Sequence, residues 1–154
     1  MSSLDAFSVR ILSELQRDAR QTIQQIAQYV GLSSTPCWKR VKEMESAGVI
    51  KGYTTLVDRD KVGLHNCVLV EINLINHSEK IVNDFEREIA ACPQITECYS
   101  TTGTSDYVLK VITADIKSYD VMLNTVIFRL PGVAHARSSI VLREVKYDPR
   151  MPLV

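Results

Sequence analysis

The chain reads as α+β, and three observations predict it. Apolar residues recur at helical spacing between Asp5 and Ala47, strict alternation begins at Cys67, and strand-like and helix-like runs then alternate to the end. The 154 residues are 45% hydrophobic and 23% charged, an ordinary globular composition for one medium domain or two small ones.

The front is helical. Asp5 is placed to cap a first helix carrying Phe7, Ile11 and Leu15 on one side, and "QRDAR" (Gln16 to Arg20) makes a polar turn. Thr22 and Gln25 form a T-x-x-Q capping box that opens a second helix, whose buried stripe is Ile23, Ile26, Ala27 and Val30. Gly31 ends it, where a left-handed backbone is cheapest for glycine. A third helix spans about Ser34 to Ala47 and stops before Gly48. These elements make a first domain over residues 1–52. A hinge strand and linker follow over 53–63, with the extended piece "GYTTLV" (Gly52 to Val57) leading into the polar "DRDKVG" (Asp58 to Gly63).

The second domain covers 64–154. "CVLVEINLI" (Cys67 to Ile75) alternates, with Val68, Val70, Ile72 and Leu74 sharing a face. Ser78 can cap a helix bearing Ile81, Phe85 and Ile89, ended by Pro93. Strands over Ile95 to Thr102 and Tyr107 to Thr113 flank the loop "GTSD" (Gly103 to Asp106). Asp115 can cap a helix with Tyr119, Leu123, Val126 and Leu130 inward, ended by Pro131-Gly132, and a last strand covers about His135 to Val145. The order β-α-β-β-α-β is the ferredoxin-like split βαβ. An internal echo agrees: "CPQITECYS" and "LPGVAHARS" each join a helix to a strand through a proline.

Formal net charge is zero, which excludes a global basic field. The front is mildly basic, however, with seven Lys/Arg against five Asp/Glu in residues 1–52. The four cysteines (Cys37, Cys67, Cys92, Cys98) form no C-x-x-C, and His65, His77 and His135 are scattered, so no metal and no cofactor is expected. No signal-peptide core or long apolar run is present, which predicts a reduced cytoplasmic setting and no membrane partner. No pair of carboxylates and no Ser/His/Asp or Cys/His set emerges, which argues against an enzyme.

The stretch "VGLSSTPCWKRVKEME" (Val30 to Glu45) carries the chemistry of the front. At about 100° per residue, Cys37, Val41 and Met44 form one stripe, while Thr35, Trp38, Lys39, Lys42 and Ser46 lie away from it. Ala27, four residues before Gly31, allows two helices to cross closely, which is the helix-turn-helix arrangement. The start of the third helix, with Ser33, Ser34 and Thr35 as donors, suits phosphate contact in double-stranded DNA. A helical hairpin with a merely solvated face, or one that docks a protein, is the competing reading; the large aromatic Trp38 on a polar face favours DNA. The second candidate is "TTGTSDY" (Thr101 to Tyr107), where backbone N–H groups and Asp106 can hold an ammonium and a carboxylate. A polar hairpin loop without a ligand is its plain alternative.

These residues resemble the leucine-responsive regulatory protein/AsnC family of transcriptional regulators. The resemblance runs along the whole chain and rests on "LDAFSVRILSELQRDAR", "VGLSSTPCWKRVKEMESAGVIKGY", "GTSDY" and "LPGV". It implies a sequence-specific DNA-binding domain joined to an effector-binding and oligomerising domain, often called the RAM domain. It also implies dimers that assemble into octamers and respond to a free amino acid, such as leucine, methionine or cysteine, bound between dimers. Carried onto this chain, DNA contact falls on Ser34, Thr35, Trp38, Lys39 and Lys42. Effector contact falls on Gly103, Asp106 and Tyr107, with Thr104 and Ser105 in the same loop and Ser138 and Ser139 on the last strand. Thr104 and Ser105 stand where many members carry an acid and an aromatic. An architectural DNA-wrapping protein without an effector is the alternative that the same front half supports.

Overall fold

The structure is a computed structural model that describes residues 4–153. Three helices open the chain: α1 (Ala6–Arg17), α2 (Ile23–Val30) and α3 (Ser34–Ser46). Their starts follow the predicted caps. The Asp5 carboxylate accepts from the Ser8 N–H, and Thr22 and Gln25 complete a reciprocal capping box. Gly31 sits at φ 76°, the left-handed region that lets the chain turn from α2 into α3. Ile11, Ile26, Ala27, Val30, Cys37, Val41 and Met44 form the core among the three helices. Leu12 and Ser8 are buried on α1, while Phe7 and Leu15 are only half-buried, so the stripe of α1 is rotated by one residue from the prediction.

The second unit is a four-stranded antiparallel sheet. Its strands are β1 (Asn66–Leu74), β2 (Ile95–Ser100), β3 (Tyr107–Thr113) and β4 (Val133–Ile140), in the order β2-β3-β1-β4. Helices α4 (Glu79–Ala91) and α5 (Ile116–Thr125) complete the split βαβ. Val68, Val70, Ile72, Leu109 and Val111 point from the sheet into one core with Phe85, Ile89, Tyr119 and Met122 from the helices. The sequence echo is a repeated turn. Ile95 N–H donates to the Cys92 carbonyl and Val133 N–H to the Leu130 carbonyl, each across a proline at the second turn position. The second copy needs glycine: Gly132 has φ 73°, and a Cβ there would lie 2.2 Å from Ile81 Cγ2.

Four expectations are corrected. Residues 51–58 form no strand within the chain, because an extended segment without a partner has nowhere to place its ladder bonds. The last strand ends at Ile140 rather than Val145, since its partner β1 begins at Asn66 and the final ladder bond runs from Val141 N–H to the Cys67 carbonyl. The helix after Asp115 stops at Thr125 and continues as a 3₁₀ turn (Ile127–Arg129), which buries Ile127 instead of Val126. Finally, residues 146–153 group with the first unit rather than the second. There the Gln16 side chain exchanges hydrogen bonds with the Met151 backbone, and Leu153 packs on the three-helix core.

Candidate DNA interface and effector pocket

The turn between α2 and α3 is fixed from both sides. Leu32 N–H donates to the Ala27 carbonyl at 2.9 Å, and Cys37 N–H closes the first turn of α3 on the Ser33 carbonyl. Ser33 is the N-cap, yet its side chain makes no capping bond. The first N–H groups of α3 therefore face outward without an acceptor from their own cap, which is the arrangement that receives a phosphate. Ser34 and Thr35 are exposed beside them, and Trp38 keeps 52% of its surface in solvent.

The cations of α3 are not equivalent. Lys39 approaches Glu43 only to 3.8 Å and its side chain is 74% exposed. Lys42 donates to Glu45 at 2.7 Å, and the Tyr53 hydroxyl donates to the same carboxylate at 3.0 Å. Lys42 and then Tyr53 hold the Glu45 carboxyl below its usual range. Arg40 is turned inward: it pairs with Asp5, reaches Ser8 Oγ at 3.3 Å and lies over the Phe7 ring. It ties α3 to α1, and its position on the flank of the apolar stripe is the only sequence signal for that role.

In the second unit, loop 101–106 is held by its own groups. Thr101 N–H donates to the Asp106 carbonyl and the Thr101 hydroxyl to the Ser105 carbonyl. Asp106 Oδ2 accepts from Leu74 N–H at 2.8 Å, while Oδ1 lies 2.9 Å from His77 Nε2. The Leu74 bond, then His77, hold the Asp106 carboxyl below its ordinary value. Ser105 is buried, and Gly103, at φ 139°, lets the loop turn over it.

Glu71, Asn73, Thr104, His135, Ala136 and Arg137 line a pocket of about 330 Å³ on the sheet face away from the helices. Asn73 Nδ2 donates to the Thr104 carbonyl at 2.8 Å and ties the loop to β1. Two residues expected at this cleft lie elsewhere. Tyr107 pairs with Ile72 on the core face, stacks on Phe85 and donates to Glu86 at 3.0 Å. Burial and then Glu86 push its phenol up to about 12. Ser138 pairs with Val70, also on the core side, and its hydroxyl bonds the Tyr119 hydroxyl. Ser139, one residue on, shares the open face with Arg137. Proximity to the loop was legible in the sequence; the face of the sheet was not. Glu71 and Asn73, polar residues at the outward positions of an apolar run, were the readable sign of the pocket.

A model described as winged helix-turn-helix DNA-binding matches residues 4–51, and one described as Lrp/AsnC ligand binding domain matches residues 67–151. The chain belongs to the Lrp/AsnC family of transcriptional regulators. Among its Lrp/AsnC relatives, the leucine-responsive regulatory protein of Haemophilus influenzae is 40% identical, covering 94% of this chain and 87% of that one. The Escherichia coli K12 protein of the same name is 36% identical over 96% of this chain and 90% of its own. An AsnC family transcriptional regulator from Agrobacterium tumefaciens superposes with TM-score 0.92 at 33% identity, covering 97% of both chains. A Neisseria meningitidis transcriptional regulator, solved in complex with L-methionine, gives 0.91 at 28% identity, covering 98% of this chain and 97% of that one. The Lrp/AsnC relatives are regulators, not enzymes. Among the described residues, no helix is long and apolar enough to cross a membrane.

Proposed function

We propose that this protein is a cytoplasmic, amino-acid-responsive regulator whose α3 enters the major groove of double-stranded DNA. Ser34, Thr35, Trp38 and Lys39 make the contact, with Lys42 joining once it leaves Glu45. The observation that carries the reading is the solvent-facing Trp38 and Lys39 beside the uncapped start of α3. The effector is a free amino acid taken up at the pocket beside loop 101–106, in which Thr104 is a wall, Ser139 shares the face, and Gly103, Ser105 and Asp106 shape the loop. The L-methionine complex of the Neisseria relative supports that class of ligand.

One helix-turn-helix reads only a few base pairs, so useful affinity needs several copies at fixed spacing. The unpaired extended segment 51–58, with Leu56 and Val57 exposed, supports pairing with a second copy of the chain. The family resemblance supports assembly of such dimers into octamers. An effector changes operator binding by preferring one assembly state, and about 1–3 kcal/mol of preference gives a 5–150-fold response.

The test selects binding duplexes from a random pool and measures their affinity at fixed salt. Trp38→Ala and Lys39→Ala are each expected to weaken binding about tenfold with assembly intact, and Lys39→Ala to reduce the salt slope by about one. Unchanged affinity in both variants refutes the interface. A thermal-shift screen of the twenty amino acids tests the effector; no stabilisation by any of them favours the purely architectural role.

A further inference from the structure

We infer that Glu71 and Arg137 read the charged ends of an α-amino acid in this pocket, Glu71 taking the ammonium and Arg137 the carboxylate. The inference rests on the effector reading of the pocket. The loop itself has little left to offer. Both oxygens of Asp106 are engaged within the chain, by Leu74 N–H at 2.8 Å and by His77 Nε2 at 2.9 Å. The Thr104 carbonyl is taken by Asn73 Nδ2, and the Ser105 carbonyl by the Thr101 hydroxyl. Asp106 is thus a positioning residue that anchors the loop to the end of β1.

Glu71 and Arg137 are arranged differently. They are direct cross-strand partners on β1 and β4, with their side chains on the open face. Their closest approach, Arg137 Nη1 to Glu71 Oε2, is 3.7 Å, beyond a hydrogen bond, and the Arg137 side chain is 80% exposed. Each charge is therefore attracted to the other without being satisfied by it. A guanidinium can give two parallel bonds to a carboxylate, and a carboxylate can accept from an ammonium. A zwitterion lying along the pocket meets both needs at no cost in net charge. With both fixed charges occupied by the α-groups, Asn73, Thr104 and His135 remain to face the effector's side chain, since the Ala136 methyl packs on the core side of the sheet. None of them is an ammonium or a carboxylate, so the ligand class is an α-amino acid with an uncharged side chain. The volume of about 330 Å³ suits a single small ligand.

Calorimetric titration of the full chain tests this with L-methionine, L-leucine and L-asparagine, and with L-lysine and L-glutamate as charged comparisons. The tightest binder is then replaced by its amide, which lacks the carboxylate, and by its desamino acid, which lacks the ammonium. Arg137→Gln is expected to weaken the free amino acid about tenfold or more and to leave the amide unchanged. Glu71→Gln is expected to weaken the free amino acid similarly and to leave the desamino acid unchanged. Melting curves like those of the parent chain confirm that both variants fold. The assignment is overturned if either variant binds the free amino acid as the parent does, if all analogues weaken equally, or if lysine or glutamate binds as tightly as the neutral acids. In each of those cases the effector pocket itself survives. If the parent chain binds none of the five amino acids, the effector reading falls and the assignment with it.

Discussion

The two units present their charges in opposite ways. On α3, Lys39 stands nearly free and the helix start is uncapped, so the surface is unsatisfied until something anionic arrives. In loop 101–106, the carboxylate and the carbonyls of Thr104 and Ser105 are already bonded within the unit, while the neighbouring Glu71–Arg137 pair is loose. The first unit is built to meet a large polyanion over a broad face. The second holds a rigid rim around a small polar pocket. A helix can leave groups unpaired at its exposed start, whereas a loop over a sheet must satisfy its own backbone to hold its shape.

The largest expected effect tests how rigid that rim is. Gly132→Ala puts a Cβ against Ile81 Cγ2 and forces alanine into a left-handed backbone, so the second unit should lose about 3 kcal/mol. Trp38 is the sole tryptophan and lies in the first unit, so its fluorescence melt should move less than the far-ultraviolet circular dichroism melt. Ile81→Ala added to Gly132→Ala should recover the part due to crowding but not the part due to φ. Equal movement of both melts would show that the two units unfold as one.

A smaller effect distinguishes the two faces of the sheet. The Tyr107 phenol is raised from its ordinary value to about 12 by burial and by Glu86. Below about pH 10 it is protonated in both the folded and unfolded chains, and its contribution is fully present. Between about 10 and 12 the unfolded chain ionises first, so stability falls by about 2 kcal/mol. Tyr107→Phe should flatten that alkaline loss. It should leave amino-acid binding unchanged, because the ring faces Phe85 and not the pocket. Loss of effector binding in this variant would place the tyrosine at the ligand after all.

How much was legible in advance follows from the same contrast. The helix-turn-helix rests on local signals: the capping box at Thr22, the turn at Gly31, and the stripe Cys37, Val41 and Met44, each read within a few residues. All three reappear in the structure. The strands were also readable, since Val68, Val70 and Ile72 alternate as predicted. Beyond the polar outward positions Glu71 and Asn73, the pocket was not, because its walls come from β1, β4 and loop 101–106. Their meeting depends on the registers Glu71↔Arg137 and Ile72↔Tyr107, pairings that no local pattern encodes. Ser138 and Ser139 show the consequence: one register step separates the core face from the open one. The tail was misplaced for the same reason, as its Leu153 is half-buried against helices 100 or more residues earlier in the chain.

The smallest effects lie on α3 and divide cations that look alike in sequence. Arg40→Ala removes the tie to Asp5, Ser8 and Phe7, and it should lower the melting temperature by a few degrees while sparing intrinsic affinity for DNA. Lys39→Ala should do the reverse. Lys42 is the intermediate case, because its ammonium must leave Glu45 before it can reach a phosphate. Glu45→Gln weakens that hold and also removes an anion from the face presented to the duplex. Affinity should therefore rise about two- to fivefold at low salt, with a steeper salt dependence as Lys42 joins the contact. The Tyr53 hydroxyl retains an acceptor in the glutamine, so the local structure has no reason to change. Titrations at two salt concentrations decide it: a gain that vanishes at high salt fits a released phosphate contact. An unchanged affinity would mean that Lys42 stays on Glu45 in the complex, leaving Lys39 as the working cation of the helix.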